Sequence, residues 1–208
     1  MTMTAINLAS LLCSRLCHDL LSPVSAMNNG IELLADEHDP EMRARCIDLL
    51  SESAKVSASK LKFFRLAFGQ GGGFSESVDT EEIREAIAGL FGFDHRIQLG
   101  WMVDDPVMEK QAVRILLNLS LIASDALVRG GNLDIGAEGN EIVIRAEGRR
   151  LVFDEQIEAT LLGKTPQDQL TPRLVAAWLI YTLIKERNGD LQIVRPEPNV
   201  LLFGINLM

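Results

Sequence analysis

The chain has 208 residues, 47% of them hydrophobic and 24% charged, an ordinary globular composition with room for one large or two small units. Its net charge of -9 argues against nucleic acid as the main partner, because phosphate backbones are bound by Lys and Arg. Three cysteines (Cys13, Cys17 and Cys46) are too few and too oddly numbered for a disulfide framework. They fit a reducing compartment. The opening MTMTAINLAS lacks a basic n-region, and the longest near-continuous apolar run, Leu174 to Ile184, is short of the ~20 residues a bilayer requires. A cytoplasmic protein with no membrane association is expected.

Residues 5–35 carry helical periodicity, with Leu12, Leu16, Leu20, Val24, Met27, Ile31 and Leu34 at spacings of three and four. DEHDP (36–40) breaks the pattern with Pro40 and reads as a hairpin loop. Residues 41–68 repeat the theme through Met42, Cys46, Leu49, Leu50, Val56, Phe63, Phe64 and Ala67. GQGGG (69–73) reads as a linker, so one unit is expected over 1–70 and a second over 74–208. A two-helix hairpin cannot enclose its own apolar stripe, and closed pairing of two hairpins gives a four-helix bundle. A homodimer is therefore expected. The other solution is that the stripe packs on the second unit.

Within 74–208, FSESVD reads as a short strand and Thr80 as the cap of a helix ending near Gly92. HRIQLGWMV (95–103) reads as strand, and 106–129 as a long helix opened by Pro106. Residues 131–148 read as a hairpin turning at Gly139-Asn140, and 171–190 as a second long helix stopped at Asn188-Gly189. Residues 191–207 read as a closing hairpin. Helices alternating with antiparallel strand pairs suggest a two-layer α/β sandwich, so the fold class is α+β with an N-terminal helical hairpin.

His18, in SRLCHDLLSPV (14–24), is the chemically distinctive residue. At about 100° per residue the stripe from Leu12 to Leu34 falls within an arc of about 120°, and His18 lies roughly opposite its middle. Arg15, Ser22, Ser25 and Asn29 share its side. Small neighbours would let another protein surface approach the ring. Arg15 could hold an incoming anion. Asp19 could accept a hydrogen bond from one ring nitrogen and make the other a better nucleophile. Ser22 could bond a phosphoryl group or a water. An exposed His that is merely solvated is the plain alternative. A metal site of Cys13, Cys17 and His18 is disfavoured: the cysteines turn toward the apolar arc, no fourth ligand is evident, and they read better as small core hydrophobes.

CHDLLSPV resembles the H-box of sensor histidine kinases, in which a histidine, an acidic residue, a Thr or Ser four residues on, and a Pro follow in order; His18, Asp19, Ser22 and Pro23 match. That resemblance implies a tolerated kink at Pro23 and a second unit like a kinase ATP-binding domain. The longer SRLCHDLLSPVSAMNNGIELL resembles the ChpT-type histidine phosphotransferases of alphaproteobacterial cell-cycle phosphorelays, over nearly the whole chain.

The ATP-binding boxes implied by the kinase resemblance are degraded. Asn118 in LLNLSLIASDAL matches the first Asn of the N-box, but the Mg²⁺-binding second position is Ile122, which offers no oxygen to a hard cation. In RAEGRRLVFDEQ only Gly148 remains of a D-x-G-x-G loop, followed by Arg149 and Arg150. QLTPRLVAAWLI has no glycine where a phosphate-cradling loop should open the last long helix, only Pro172 and Arg173.

The resemblance therefore implies a histidine phosphotransferase that binds no ATP and no metal or cofactor of its own. Catalysis would rest on His18, Asp19 and Ser22, with His18 accepting a phosphoryl group, plausibly on Nε2. Partners would dock through Arg15, Leu21, Ser22, Ser25 and Asn29. Those partners are the receiver domain of a hybrid histidine kinase and response regulators, which bring their own Mg²⁺. A non-catalytic dimeric scaffold and a divergent ATP-dependent kinase are the competing readings.

Overall fold

The computed structural model describes residues 4–69, 76–92 and 96–208. The expected linker at 69–73 lies, after Gly69, outside the described residues, as does His95.

Helices α1 (Ala5–Asp36) and α2 (Pro40–Ala67) form the hairpin. Thr4 caps α1 through its hydroxyl, which accepts from the Asn7 amide. The loop is closed by side chains. Glu37 accepts from the amides of His38 and Asp39, and Arg43 donates to the carbonyls of Leu34 and Glu37, which the end of α1 leaves without helical partners. Asp39 caps α2 by accepting from Glu41 and Met42, with Pro40 at the first helical position. The helices pack closely at Gly30, where an added Cβ would stand 3.0 Å from the Leu50 side chain.

The apolar stripe of α1 divides in two. Leu12, Leu16, Leu20, Met27 and Leu34 are half-buried, and Pro23 and Gly30 are buried. Cys13, Cys17, Val24 and Ile31, within about 40° of one another on the helix, are exposed. The expectation that Cys13 and Cys17 are core residues is thus corrected for the single chain. They lie on the flank of the stripe turned away from α2, and of the three cysteines only Cys46 is buried. On α2, Ile47, Ala54, Ala58 and Leu61 form a second exposed apolar stripe.

After the hairpin come β1 (Ser77–Asp79), α3 (Thr80–Phe91), β2 (Ile97–Val103), β3 (Val107–Glu109), α4 (Lys110–Ala126), β4 (Gly131–Glu138), β5 (Glu141–Glu147), α5 (Glu155–Leu161), a 3-10 turn at Gln167–Gln169, α6 (Val175–Glu186), β6 (Asp190–Val194) and β7 (Val200–Asn206). The main sheet has the order β2-β4-β5-β7-β6. Alternate residues Leu133, Ile135, Ile142, Ile144, Leu201, Phe203 and Ile205 are buried under α4 and α6, while Asp134, Arg145 and Glu147 pair on the opposite face. The expected two-layer α/β sandwich is present.

Four details differ from the sequence expectations. Asp79, not Thr80, caps α3, by accepting from the Glu81 amide, while the Thr80 hydroxyl donates to the Asp105 carbonyl. Residues 107–109 are strand rather than helix, because they pair antiparallel with 77–79, so α4 begins at Lys110. The expected hairpins β4–β5 and β6–β7 are antiparallel, but β2, given no partner by the sequence, joins β4 in parallel. The last long helix begins at Val175, leaving Thr171, Pro172 and Arg173 in a turn ahead of it. It stops as expected, with Asn188 at φ 52° and the Gly189 amide donating to the Ile184 carbonyl.

The base of the hairpin is part of the sandwich core. Phe63, Phe64, Leu66 and Ala67 are buried in one cluster with Ile83, Ile87, Leu116 and Leu117, and Leu16 and Leu20 pack against it. Asn118, wholly buried, donates from Nδ2 to the carbonyls of Ala67 (3.0 Å) and Arg114 (2.8 Å), and Arg114 donates to the Gly69 carbonyl. Ion pairs Lys62–Glu85 and Arg65–Glu82 flank the joint.

Pro23 has a consequence four residues upstream. Lacking an N–H, it leaves the Asp19 carbonyl without its helical donor. Lys60 of α2 supplies the replacement, its Nζ donating to that oxygen at 2.7 Å. Lys60→Met should cost about 1–3 kcal/mol, the penalty for stripping a partner from a buried polar group. In a Pro23→Ala background the restored amide takes the same carbonyl, so the cost should shrink by at least about 0.5 kcal/mol in a double-mutant cycle read by denaturant unfolding. Additive costs would show that the two residues do not share this carbonyl.

Candidate functional site

The site is built on the third and fourth turns of α1. His18 projects into solvent with 84% of its side chain exposed, whereas Arg15 and Asp19 beside it keep only 16% and 19%. Asp19 Oδ1 lies 3.2 Å from His18 Nδ1. A carboxylate oxygen can only accept, so Nδ1–H donates and the Nε2 lone pair points outward, free to attack an electrophile. The other oxygen of Asp19 accepts from Arg15 Nε at 2.7 Å. The Asp19 backbone is fixed as well, through Lys60.

Arg15 is consequently engaged within the chain. Besides Asp19 it reaches the Arg173 carbonyl through Nη1 (3.5 Å), and its Nη2 lies 3.8 Å from Asp125 Oδ2. Arg173 itself pairs with Asp154 at 2.8 Å and keeps 67% of its side chain exposed. The turn 171–173, His18 and Asp125 line an open groove of about 560 Å³. A second hollow of about 360 Å³ lies behind Asp19, walled by Lys60, Phe64, Leu121 and Asp125.

Of the residues singled out in the sequence, Leu21, Ser22, Ser25 and Asn29 are exposed on α1 with His18, and Asp19 and Arg15 join it in one hydrogen-bonded chain. The sequence reading missed Lys60 and Asp125, and it set Pro172 and Arg173 at the opening of the last long helix rather than beside His18. Lys60 carried a signal, being a lysine inside the apolar arc of α2 between Val56, Phe63 and Ala67. Asp125 and Arg173 carried none, since only the packing of α4 and α6 brings them to α1. Among the described residues no group of three or more His, Cys, Asp or Glu could hold a metal ion. No helix among the described residues is long and apolar enough to cross a membrane.

The walls crowding Asp125 push its carboxyl pKa up. Arg15 opposes this, Asp19 adds to it, and Arg173 and Lys60 oppose it more weakly. A carboxyl whose pKa is raised by folding destabilises the fold once it ionises, so its penalty grows as pH rises from the ordinary carboxylate range through the folded value. With 59% of the Asp125 side chain exposed, solvent screening keeps this penalty small, so Asp125→Asn should raise the melting temperature at pH 7 by no more than about 1–2 °C. The gain should vanish below about pH 3.5, beneath the ordinary carboxylate pKa of about 3.9. Thermal scans at both pH values check this, and a gain that persists at low pH would refute the assignment.

Comparison with known proteins gives concordant matches. Residues 80–199 match the family model for the histidine phosphotransferase C-terminal domain. The chain is 32% identical over 196 residues to Protein phosphotransferase ChpT of Brucella abortus (strain 2308), covering 92% of this chain and 91% of that protein. A solved bacterial phosphotransferase structure superposes with a TM-score of 0.87 at 29% identity, over 99% of this chain and 98% of that one.

Proposed function

Because this chain belongs to the histidine phosphotransferase family, we propose that its transfer runs through Nε2 of His18, between aspartyl phosphates of receiver domains in a phosphorelay. The carrying observation is that His18 is highly exposed while its Nδ1 is engaged by a largely buried Asp19. One ring nitrogen is thus committed and the other is offered to a partner.

In the forward step the Nε2 lone pair attacks phosphorus in line, forming the N–P bond. The P–O bond of the acyl phosphate breaks, and its electron pair leaves with the receiver's carboxylate. The ring then carries positive charge, which the Nδ1–H bond to Asp19 offsets. Reversal onto a second receiver's aspartate returns the neutral imidazole. The chain supplies mainly position, and the receiver brings the Mg²⁺ that offsets charge on the transferring oxygens. Leu21, Ser22, Ser25 and Asn29 are the exposed residues of α1 around the ring on which a receiver would dock, and Ser22 would bond the phosphoryl group.

A source of phosphate other than ATP is supported by the state of the degraded boxes. The Asn118 Nδ2 is spent on the carbonyls of Ala67 and Arg114, its Oδ1 is buried without a hydrogen-bond partner, and Ile122 is buried. Gly148 is packed so that an added Cβ would stand 2.6 Å from the Gly130 carbonyl. The exposed stripes Cys13–Cys17–Val24–Ile31 and Ile47–Ala54–Ala58–Leu61 support a homodimer, since a second hairpin would cover them in a four-helix bundle.

The test is transfer from a labelled receiver domain of a hybrid histidine kinase to wild type and His18→Ala, both first sized by light scattering at twice the chain mass. Wild type should take an acid-labile label and pass it to a second receiver. His18→Ala should remain folded and lose labelling by at least ~10³-fold, as expected when the attacking atom itself is removed. Continued labelling of the variant would refute the role of His18. A tight receiver complex without label on either protein would favour the scaffold reading.

A further inference from the structure

Asp19 orients His18, yet α1 alone does not hold Asp19. Its carboxylate is shared between His18 Nδ1 and Arg15 Nε, so the position of Arg15 decides where the carboxylate sits. Arg15 is in turn steadied from outside the hairpin. Its Nη1 meets the carbonyl of Arg173, ahead of α6, and its Nη2 faces Asp125, in the last turn of α4. At 3.8 Å the contact with Asp125 is a charge interaction rather than a hydrogen bond. Asp125 keeps 59% of its side chain exposed and Arg15 only 16%, so solvent screens the pair in part and geometry rather than charge strength carries the link.

We propose that Asp125 is a positioning residue for phosphoryl transfer, acting from the α/β layer through Arg15 and Asp19 on the ring of His18. The linkage runs Asp125–Arg15–Asp19–His18, with the Lys60 bond to the Asp19 carbonyl as its fixed backbone point. Without the charge on Asp125, Arg15 has one anchor fewer beside α4, and the Asp19 carboxylate follows it away from Nδ1. The ring then samples the tautomer with the proton on Nε2, which has no lone pair to offer there. This assigns the sandwich a part in the chemistry.

The inference rests on His18 being the phosphoryl acceptor, and the experiment separates the two claims. Full-length wild type, Asp125→Asn, Arg15→Gln and the double variant are incubated with potassium phosphoramidate, a small donor to histidine that needs no partner protein. Their rates of phosphohistidine formation are compared. The imidazole ¹⁵N shifts of the unphosphorylated proteins report the tautomer of His18. Asp125→Asn is nearly isosteric and removes only the charge.

Asp125→Asn should label at least fivefold more slowly than wild type and raise the Nε2–H tautomer fraction. Arg15→Gln should do the same. The double variant should be no slower than Arg15→Gln, because both residues act through one path. Wild-type rate and wild-type ¹⁵N shifts in Asp125→Asn would overturn the proposal while leaving His18 as the acceptor. Slower labelling with unchanged ¹⁵N shifts would also overturn it, since a general structural effect need not move the tautomer. Labelling of wild type on a residue other than His18 would instead overturn the reading on which it rests.

Discussion

Asp19 is held from two directions, and the functional surface depends on it. Its backbone carbonyl, released from the helix by Pro23, accepts from Lys60; its side chain bridges Arg15 and His18. The first contact ties α1 to α2 at the level of the reactive histidine. The second sets the ring. A proline inside a helix costs about 3 kcal/mol when the freed carbonyl is left without a partner. Here the freed carbonyl becomes the attachment point of a neighbouring helix, so the irregularity and the site are one feature.

The sandwich does more than close the hydrophobic core. Its α4 helix grips the end of α2 through Asn118 and Arg114, and the Phe63–Ala67 segment of α2 is buried with Ile83, Ile87 and Leu116. That junction fixes the hairpin against α6, which carries the turn 171–173 to the edge of the His18 groove. Residues that the kinase resemblance assigns to nucleotide binding therefore have structural work in this chain. Asn118 joins two helices, and Gly148 lets two backbone segments approach closely.

Much of this was legible in the sequence because it is local. The 3.6-residue period placed His18 opposite the apolar stripe, and adjacency paired it with Asp19. Turn chemistry marked the ends at Asp36–Pro40, Gly139-Asn140 and Asn188-Gly189. What escaped required knowledge of a partner segment. Val107–Glu109 is strand only because Ser77–Asp79 lies beside it, and Pro106 misled as a helix opener. Cys13 and Cys17 lie on an apolar stripe, but which half of it meets α2 depends on how the two helices pack. Asp125 and Arg173 are 110 and 158 residues from Arg15 along the chain, a separation that no local pattern spans, and α5 is too short to show a period.

The central claim is that a largely buried carboxylate commits one nitrogen of His18 and leaves the other for phosphate. The most direct measurement is ³¹P–¹⁵N NMR of the phosphorylated protein, with the site mapped by mass spectrometry at neutral pH. The account predicts phosphorus bonded to Nε2 of His18, with Nδ1 still protonated toward Asp19. Phosphorus on Nδ1, or on His38 or His95, would contradict it.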